Sequence, residues 1–205
     1  MSGDRLLKFF VKPVVFLCCL VPFAHLVWDG FAGGLGINPL ETVTDRTGNW
    51  ALRFLLISLT LRPLRQLSGR GVFIRFRRMT GLFAFFYATL HFAIFVGVDN
   101  YFDFQELVQD IFERPFVTVG FTAWVLMLPL AVTSTRGWIR RLGGRRWQTL
   151  HRLVYLSVSA GVVHFLWARK LIETAPVLYT SAAVVLLGYR MLVWLKPGLI
   201  SRNAS

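Results

Sequence analysis

Apolar runs of bilayer length recur along this chain, and they constrain its fold more than any other feature. Six stretches, at about 9–28, 49–64, 79–98, 115–134, 147–168 and 176–195, come near the ~20 residues that a helix needs to cross hydrocarbon. The chain is 55% hydrophobic, whereas soluble domains are about 45–50% apolar. Mean hydropathy is +0.56. The fold class that follows is all-α: a polytopic membrane protein whose six helices form one transmembrane domain over residues 1–205. No internal repeat or soluble domain is visible in the sequence. Pro115 and Pro176 suit first helical turns, where a missing N–H costs nothing, while Pro13, Pro22, Pro63 and Pro129 fall where they can kink a span.

Charge then orients the bundle. The net charge is +13, but bilayer-length apolar segments divide the basic residues, so membrane topology accounts for them better than nucleic acid does. Arg62, Arg65, Arg70, Arg75, Arg77 and Arg78 follow the second span. Arg136, Arg140, Arg141, Arg145, Arg146 and Arg152 lie between the fourth and fifth. The alternate loops hold Asp29, Glu41 and Asp45, then Asp99, Asp103, Glu106, Asp110 and Glu113, then Glu173, which is nine of ten acids. The positive-inside rule places the arginine loops and both termini in the cytoplasm. The first apolar run lacks a cleavage site and is expected to be retained.

Two longer acidic loops, at about 29–48 and 99–114, therefore face outward. The second carries Phe102, Phe104, Leu107, Ile111 and Phe112 among acids and reads as a surface helix. It is either a docking face for a partner or a helix lying on the bilayer. Gly33, Gly34 and Gly36 form a turn, without the spacing of a dinucleotide site. Cys18 and Cys19, the only cysteines, are adjacent in an apolar run and read as packing residues.

The chemistry-bearing residues are the histidines. Placing an ionisable group in hydrocarbon costs a few kcal/mol (roughly 2.5–3.5 for a charge), and imidazole is the commonest metal ligand among side chains. His91 follows Arg78 by thirteen residues and His164 follows Arg152 by twelve. Both rings should then lie about 18–20 Å above the cytoplasmic face. Two histidines at matched depth can clamp one macrocycle from both sides, as a b-type heme is held between helices. An iron so ligated moves electrons rather than binding oxygen.

His151 lies about 20 Å below His164, and an ideal helix turns the two side chains about 140° apart, so they cannot share a metal. His151 either serves a second metal site with a different partner or contacts a flavin, a quinone or a propionate. His25, beside Trp28, reads as interfacial or hydrogen-bonded. Arg53 either snorkels to water or pairs with a heme propionate. Tyr87 and Trp167 would flank the ring, though core packing explains them equally well.

The chain resembles a known family on an ordered set of segments: GLGINPLETVTDRTGNWAL from Gly34, LTLRPLR from Leu59, RRMTGLFAFFYATLH ending at His91, ERPFVTVGFTAW from Glu113, LAVTSTRGWIRRLGGRRWQTLHRLVYL from Leu130 and HFLW from His164. These resemble MsrQ (YedZ), the heme-binding membrane subunits of the protein-methionine-sulfoxide reductase system, within the ferric-reductase-like transmembrane group. The resemblance implies a b-type heme protein of the bacterial inner membrane, with one or two hemes and FMN. It implies electron transfer to a periplasmic molybdopterin subunit, MsrP, that reduces methionine sulfoxide. His91, His151 and His164 match the family's heme-associated histidines, and larger relatives use four histidines as two stacked pairs.

The expectation is an electron conduit with no catalytic residue of its own for sulfoxide reduction. A cytoplasmic flavin reductase or a membrane quinol would deliver electrons near His151, Arg77 and Arg78, and His91 and His164 would be the axial pair. The competing classes are a transporter in which histidines relay protons and a scaffold that only anchors a periplasmic enzyme. Acidic residues facing inward from the spans would favour the transporter, and the six spans carry none.

Overall fold

A computed structural model describes residues 3–169 and 174–195. Glu173 and the chain ends expected in the cytoplasm, 1–2 and 196–205, lie outside the described residues. Those described are helical apart from turns and short connections, with no strand among them. α1 spans Lys12–Ala32, continuing a π-helical turn at Leu7–Val11. α2 is Pro39–Ser68 and α3 is Arg77–Ile94, extended by a π-helical turn at Phe95–Asp99. The short α4, Phe104–Glu113, leads into α5, Pro115–Val132. Two short helices, α6 (Arg136–Leu142) and α7 (Gly144–Leu150), precede α8 (Leu153–Ala168) and α9 (Thr174–Leu195).

Five helical stretches are long and apolar enough to cross a membrane: Leu7–Ala32, Phe73–Asp99, Pro115–Val132, Gly144–Ala168 and Thr174–Leu195. The helix that carries the second expected span is longer but more polar. α2 runs 30 residues, about 45 Å at 1.5 Å per residue. It holds most of the core, including Leu52, Phe54, Leu55, Leu56 and Leu59. A helix walled by other helices needs less lipid-compatible surface, which is how α2 can carry Asn49, Arg53 and Arg62. It also begins ten residues before the expected Asn49. Asn38 caps it, its side-chain oxygen accepting from the Glu41 N–H at 3.3 Å, and Pro39 fills the first turn.

α2 packs along α3 and α5 packs along α8, and the two pairs close on each other through α3 with α5 and α2 with α8. α1 and α9 lie against the outside of this four-helix core. Tyr87 of α3 pins α1: its hydroxyl donates to the Cys19 carbonyl at 2.8 Å and accepts from the Phe23 N–H at 3.1 Å. The hydroxyl is thus inserted into the i to i−4 ladder of α1 beside Pro22, a recognised cause of a local bend.

The turn after α1 forms as expected, with Gly33 at φ 73° and Gly36 at φ 80°. The expected surface helix is α4, capped by Asp103, which accepts from Gln105 N–H at 2.8 Å and Glu106 N–H at 3.2 Å. Leu107 alone is buried in it, while Phe104 and Phe112 are exposed. The expected fifth span is present as Gly144–Ala168, with a two-residue turn inside it: α7 ends at Leu150, His151 and Arg152 keep right-handed helical angles, and α8 starts at Leu153. The joint is fastened to the end of α5, where the Trp147 indole donates to the Thr133 carbonyl at 2.9 Å. His151 and His164 line different cavities, as two side chains that cannot share a metal must.

Candidate functional site

His91 and His164 come together across the bundle. Their ring centroids are 6.0 Å apart and the ring planes stand 72° to each other. Both line a cavity of about 480 Å³ between the two helix pairs, at the end of the bundle where Asp45, Asp99, Glu106 and Asp110 gather. That volume falls within the range of cofactor sites, about 300–1,000 Å³.

The two half-sites are built alike. His91 of α3 sets its Nδ1 3.0 Å from the carbonyl of Thr44 on the paired helix α2. His164 of α8 sets its Nδ1 2.7 Å from the carbonyl of Phe116 on its own partner, α5. A carbonyl can only accept, so each Nδ1 carries the proton and each Nε2 keeps its lone pair. Four residues beyond each carbonyl stands a glycine. A Cβ at Gly48 would lie 3.1 Å from the His91 ring, and one at Gly120 would lie 2.6 Å from Nδ1 of His164. A side chain at position 120 would force the His164 ring to move, and one at position 48 would press the His91 ring by a few tenths of an ångström. Both histidines also precede a phenylalanine, Phe92 and Phe165, that lines the cavity.

These features fit a metal held between the rings. The midpoint is 3.0 Å from each centroid, half of 6.0 Å; a metal–imidazole bond of about 2 Å plus about 1 Å to the ring centre gives the same span. Fixing the distal nitrogen by a carbonyl is the usual outer-shell support of a ligating histidine. The aromatic wall suits a planar macrocycle: Phe92 stacks on Trp124 at 4.5 Å, and Trp124 donates to Thr89 at 3.1 Å.

Other expected positions fall elsewhere. Tyr87 does not line the cavity; it stacks on Phe54 at 5.4 Å and serves α1. Trp167 is exposed and also lies outside it. Arg53 is not on the cavity wall, because its Nε donates to the Tyr179 hydroxyl at 2.6 Å and its guanidinium lies 4.7 Å over Trp50. The cations at the mouth are Arg114, 3.1 Å from Asp110, and Arg169, paired with Asp45. His25 pairs with Asp29 at 3.1 Å.

His151 belongs to a second, larger cavity of about 1100 Å³ at the opposite, basic end, which Arg77 and Arg78 also line. Its Nε2 is 3.0 Å from the Thr133 hydroxyl and its ring stacks on Trp147 at 3.9 Å. Leu55 and Met127 line both cavities and form the wall between them. Gly48, Gly120, Arg114, Arg169 and Arg190 were not legible as site residues; for the glycines the available signal was a small residue opposite each histidine, which needs the helix pairing to be read.

The sequence model of the family described as ferric reductase like transmembrane component matches residues 47–162, a stretch that holds most of the four core helices with His91 and His151 and ends two residues before His164. Among curated relatives, a protein from Herminiimonas arsenicoxydans is 47% identical over 183 residues, covering 88% of this chain and 84% of its own length. One from Ralstonia nicotianae is 50% identical over 186 residues, covering 90% and 85%. One from Bordetella pertussis is 47% identical over 186 residues, covering 90% of each chain. Each of the three is named protein-methionine-sulfoxide reductase heme-binding subunit MsrQ.

Proposed function

Because the chain belongs to the MsrQ family of ferric-reductase-like transmembrane proteins, we propose that it is the b-type heme electron-transfer subunit of a methionine sulfoxide reductase system in a bacterial inner membrane. The observation that carries this reading is the pair His91 and His164, 6.0 Å apart with both distal nitrogens held by carbonyls. Heme, when bound, supplies one-electron transfer at an iron whose axial positions are both filled. The chain's own residues do the rest. Thr44 and Phe116 fix the tautomers, and Gly48 and Gly120 give the rings room. Phe92, Trp124 and Phe165 exclude water, and Arg114 and Arg169 stand at the mouth where carboxylates would be met.

The topology that goes with this function has six spans, α2 being the sixth, and both termini in the cytoplasm. The basic-end cavity, with His151, Arg77 and Arg78, receives electrons from a cytoplasmic flavin reductase or a membrane quinol, and it holds FMN or a second heme. The acidic end hands them to a periplasmic molybdopterin subunit of the MsrP kind. A dithionite-reduced spectrum of purified protein, with heme and flavin counted per chain, tests the proposal. Heme bands that vanish in His164→Ala support it; a wild-type protein without heme bands would sink it.

A further inference from the structure

α4 joins two spans and stays close to both. The stretch Phe73–Asp99 ends one, Pro115–Val132 forms the next, and only residues 100–103 and Arg114 separate them from α4. Its ten residues, about 15 Å of helix at 1.5 Å per residue, therefore lie across the acidic end of the bundle, at the depth where hydrocarbon gives way to headgroups. The Thr118 hydroxyl of α5 donates to the Ile111 carbonyl and ties down the far end. At the near end Tyr101 and Phe102 hold positive φ, 46° and 61°, a backbone that bulky residues rarely adopt. The reversal is fastened by the Phe102 N–H, which donates to the Val96 carbonyl at 3.0 Å. It lays the Phe102 ring on Gly97, where a Cβ would lie 2.9 Å from the ring's Cζ. Phe102 is exposed there, as is Val98, so an apolar surface runs from the span onto the loop that starts α4.

α4 itself divides into sectors. At about 100° per residue, Leu107, Ile111, Phe104, Val108 and Phe112 fall within an arc of about 140°. Only the Leu107 edge of that arc is buried; Phe104, Val108 and Phe112 are 73%, 51% and 80% exposed. Glu106 and Asp110 stand on the cavity wall, and Gln105, Gln109 and Glu113 complete the polar side. Glu106 is diametrically opposite the midpoint of Phe104 and Val108, so the two sectors meet different media. With its acids toward the bilayer, the helix would press Glu106 and Glu113 into hydrocarbon, where a charge is costly. With its phenylalanines toward the bilayer, it buries apolar area and leaves the acids wet, the arrangement of an interfacial helix. A soluble partner would need the phenylalanines turned away from the span on which Phe102 already rests. No lysine or arginine lies between Asp99 and Arg114, so the attraction is to acyl chains and not to anionic headgroups. We propose that α4 is seated in the bilayer surface at the acidic end, with Phe104, Val108 and Phe112 among lipid acyl chains, and that this seat holds Asp110 and Arg114 at the cavity mouth. The inference depends neither on heme nor on electron transfer.

Site-directed spin labelling tests it. In a Cys18→Ser, Cys19→Ala background, single labels are placed through Phe104→Cys, Val108→Cys, Phe112→Cys, Gln105→Cys and Gln109→Cys, and each protein is put into nanodiscs of zwitterionic lipid. Collision with oxygen, which concentrates in lipid, is compared with collision with a water-soluble nickel chelate. Oxygen should dominate at positions 104, 108 and 112, at a depth of about 5–10 Å, and nickel at positions 105 and 109. Nickel dominance at all five overturns the proposal and leaves the face for a soluble partner. Low access to both reagents at positions 104, 108 and 112 overturns it in favour of a second copy of the chain. Phe104→Ser with Phe112→Ser should sharpen the spectrum of the label at position 109, as a helix loosened from its seat requires; an unchanged line shape overturns the link to the mouth. Wild-type protein decides the matter should the cysteine-free background fail to fold. A lipid with a photoactivatable acyl chain should leave adducts on Phe104, Val108 or Phe112, and their absence overturns the lipid contact.

Discussion

The two cavities occupy opposite ends of the same four helices and are built on opposite plans. At the acidic end the histidines and the mouth cations are already partnered: carbonyls hold both Nδ1 atoms, glycines clear the space, and each mouth arginine has a carboxylate, while Thr44 Oγ1 and Asn49 Oδ1 are buried without a partner among the described residues. At the basic end one histidine is tied to Thr133, while six arginines face a larger space without an acid on its wall. The first is preorganised by backbone contacts, which suits the proposed group held between the two rings. The second gathers like charges with no countercharge on its wall among the described residues. The same helices thus present two differently built ends, because the first depends on backbone placement and the second on side-chain charge.

Removing either axial histidine should have the largest effect. His91→Ala and His164→Ala are expected to abolish the low-spin b-type bands at the acidic end, and bands of wild-type intensity in either variant would remove that histidine from the ligand set. Next come the glycines. Overpacking in a tight core costs about 1–3 kcal/mol, and the intended Cβ lies 2.6 Å from His164 at position 120 against 3.1 Å from His91 at position 48. Gly120→Ala should therefore lower heme per chain more than Gly48→Ala; the reverse order would show that the two half-sites are not supported in the way their contacts suggest.

His151→Ala is expected to be milder. It leaves the acidic-end socket intact and takes away one hydrogen bond, typically about 1 kcal/mol, so heme should be partly lost or reduced more slowly by the donor. Wild-type behaviour in both assays would make His151 purely structural. Arg53→Leu should change least at the heme: bands unchanged, with thermal stability lowered through loss of the Tyr179 and Trp50 contacts. A bleached spectrum in that variant would restore Arg53 to the site despite its position.

Much of this was legible in the sequence because depth along a helix is a count of residues. Thirteen residues from Arg78 and twelve from Arg152 place His91 and His164 level, and the rings do meet. Rotation about the helix axis is not such a count. Tyr87, one turn before His91, points to α1 instead of the cavity, and Arg53 turns to Tyr179. Breaks are equally hidden: nothing apolar or polar in QTLHRLVYL marks the end of α7, which is set by Trp147 and His151 reaching Thr133 on another helix. The early start of α2 was readable, since Asn38, Pro39 and Glu41 form a capping sequence. Arg190 is one charge in an apolar span, and only the cavity gives it company.

The shared wall of Leu55 and Met127 has a bearing on the membrane itself. Two hollows at opposite ends of one helix bundle would join into a pore if nothing closed the space between them, and a pore in a membrane dissipates ion gradients. Both side chains are buried and carry no group that could pass a proton along. Between the hollows they stand as an apolar partition that gives water on either side nothing to hydrogen-bond to.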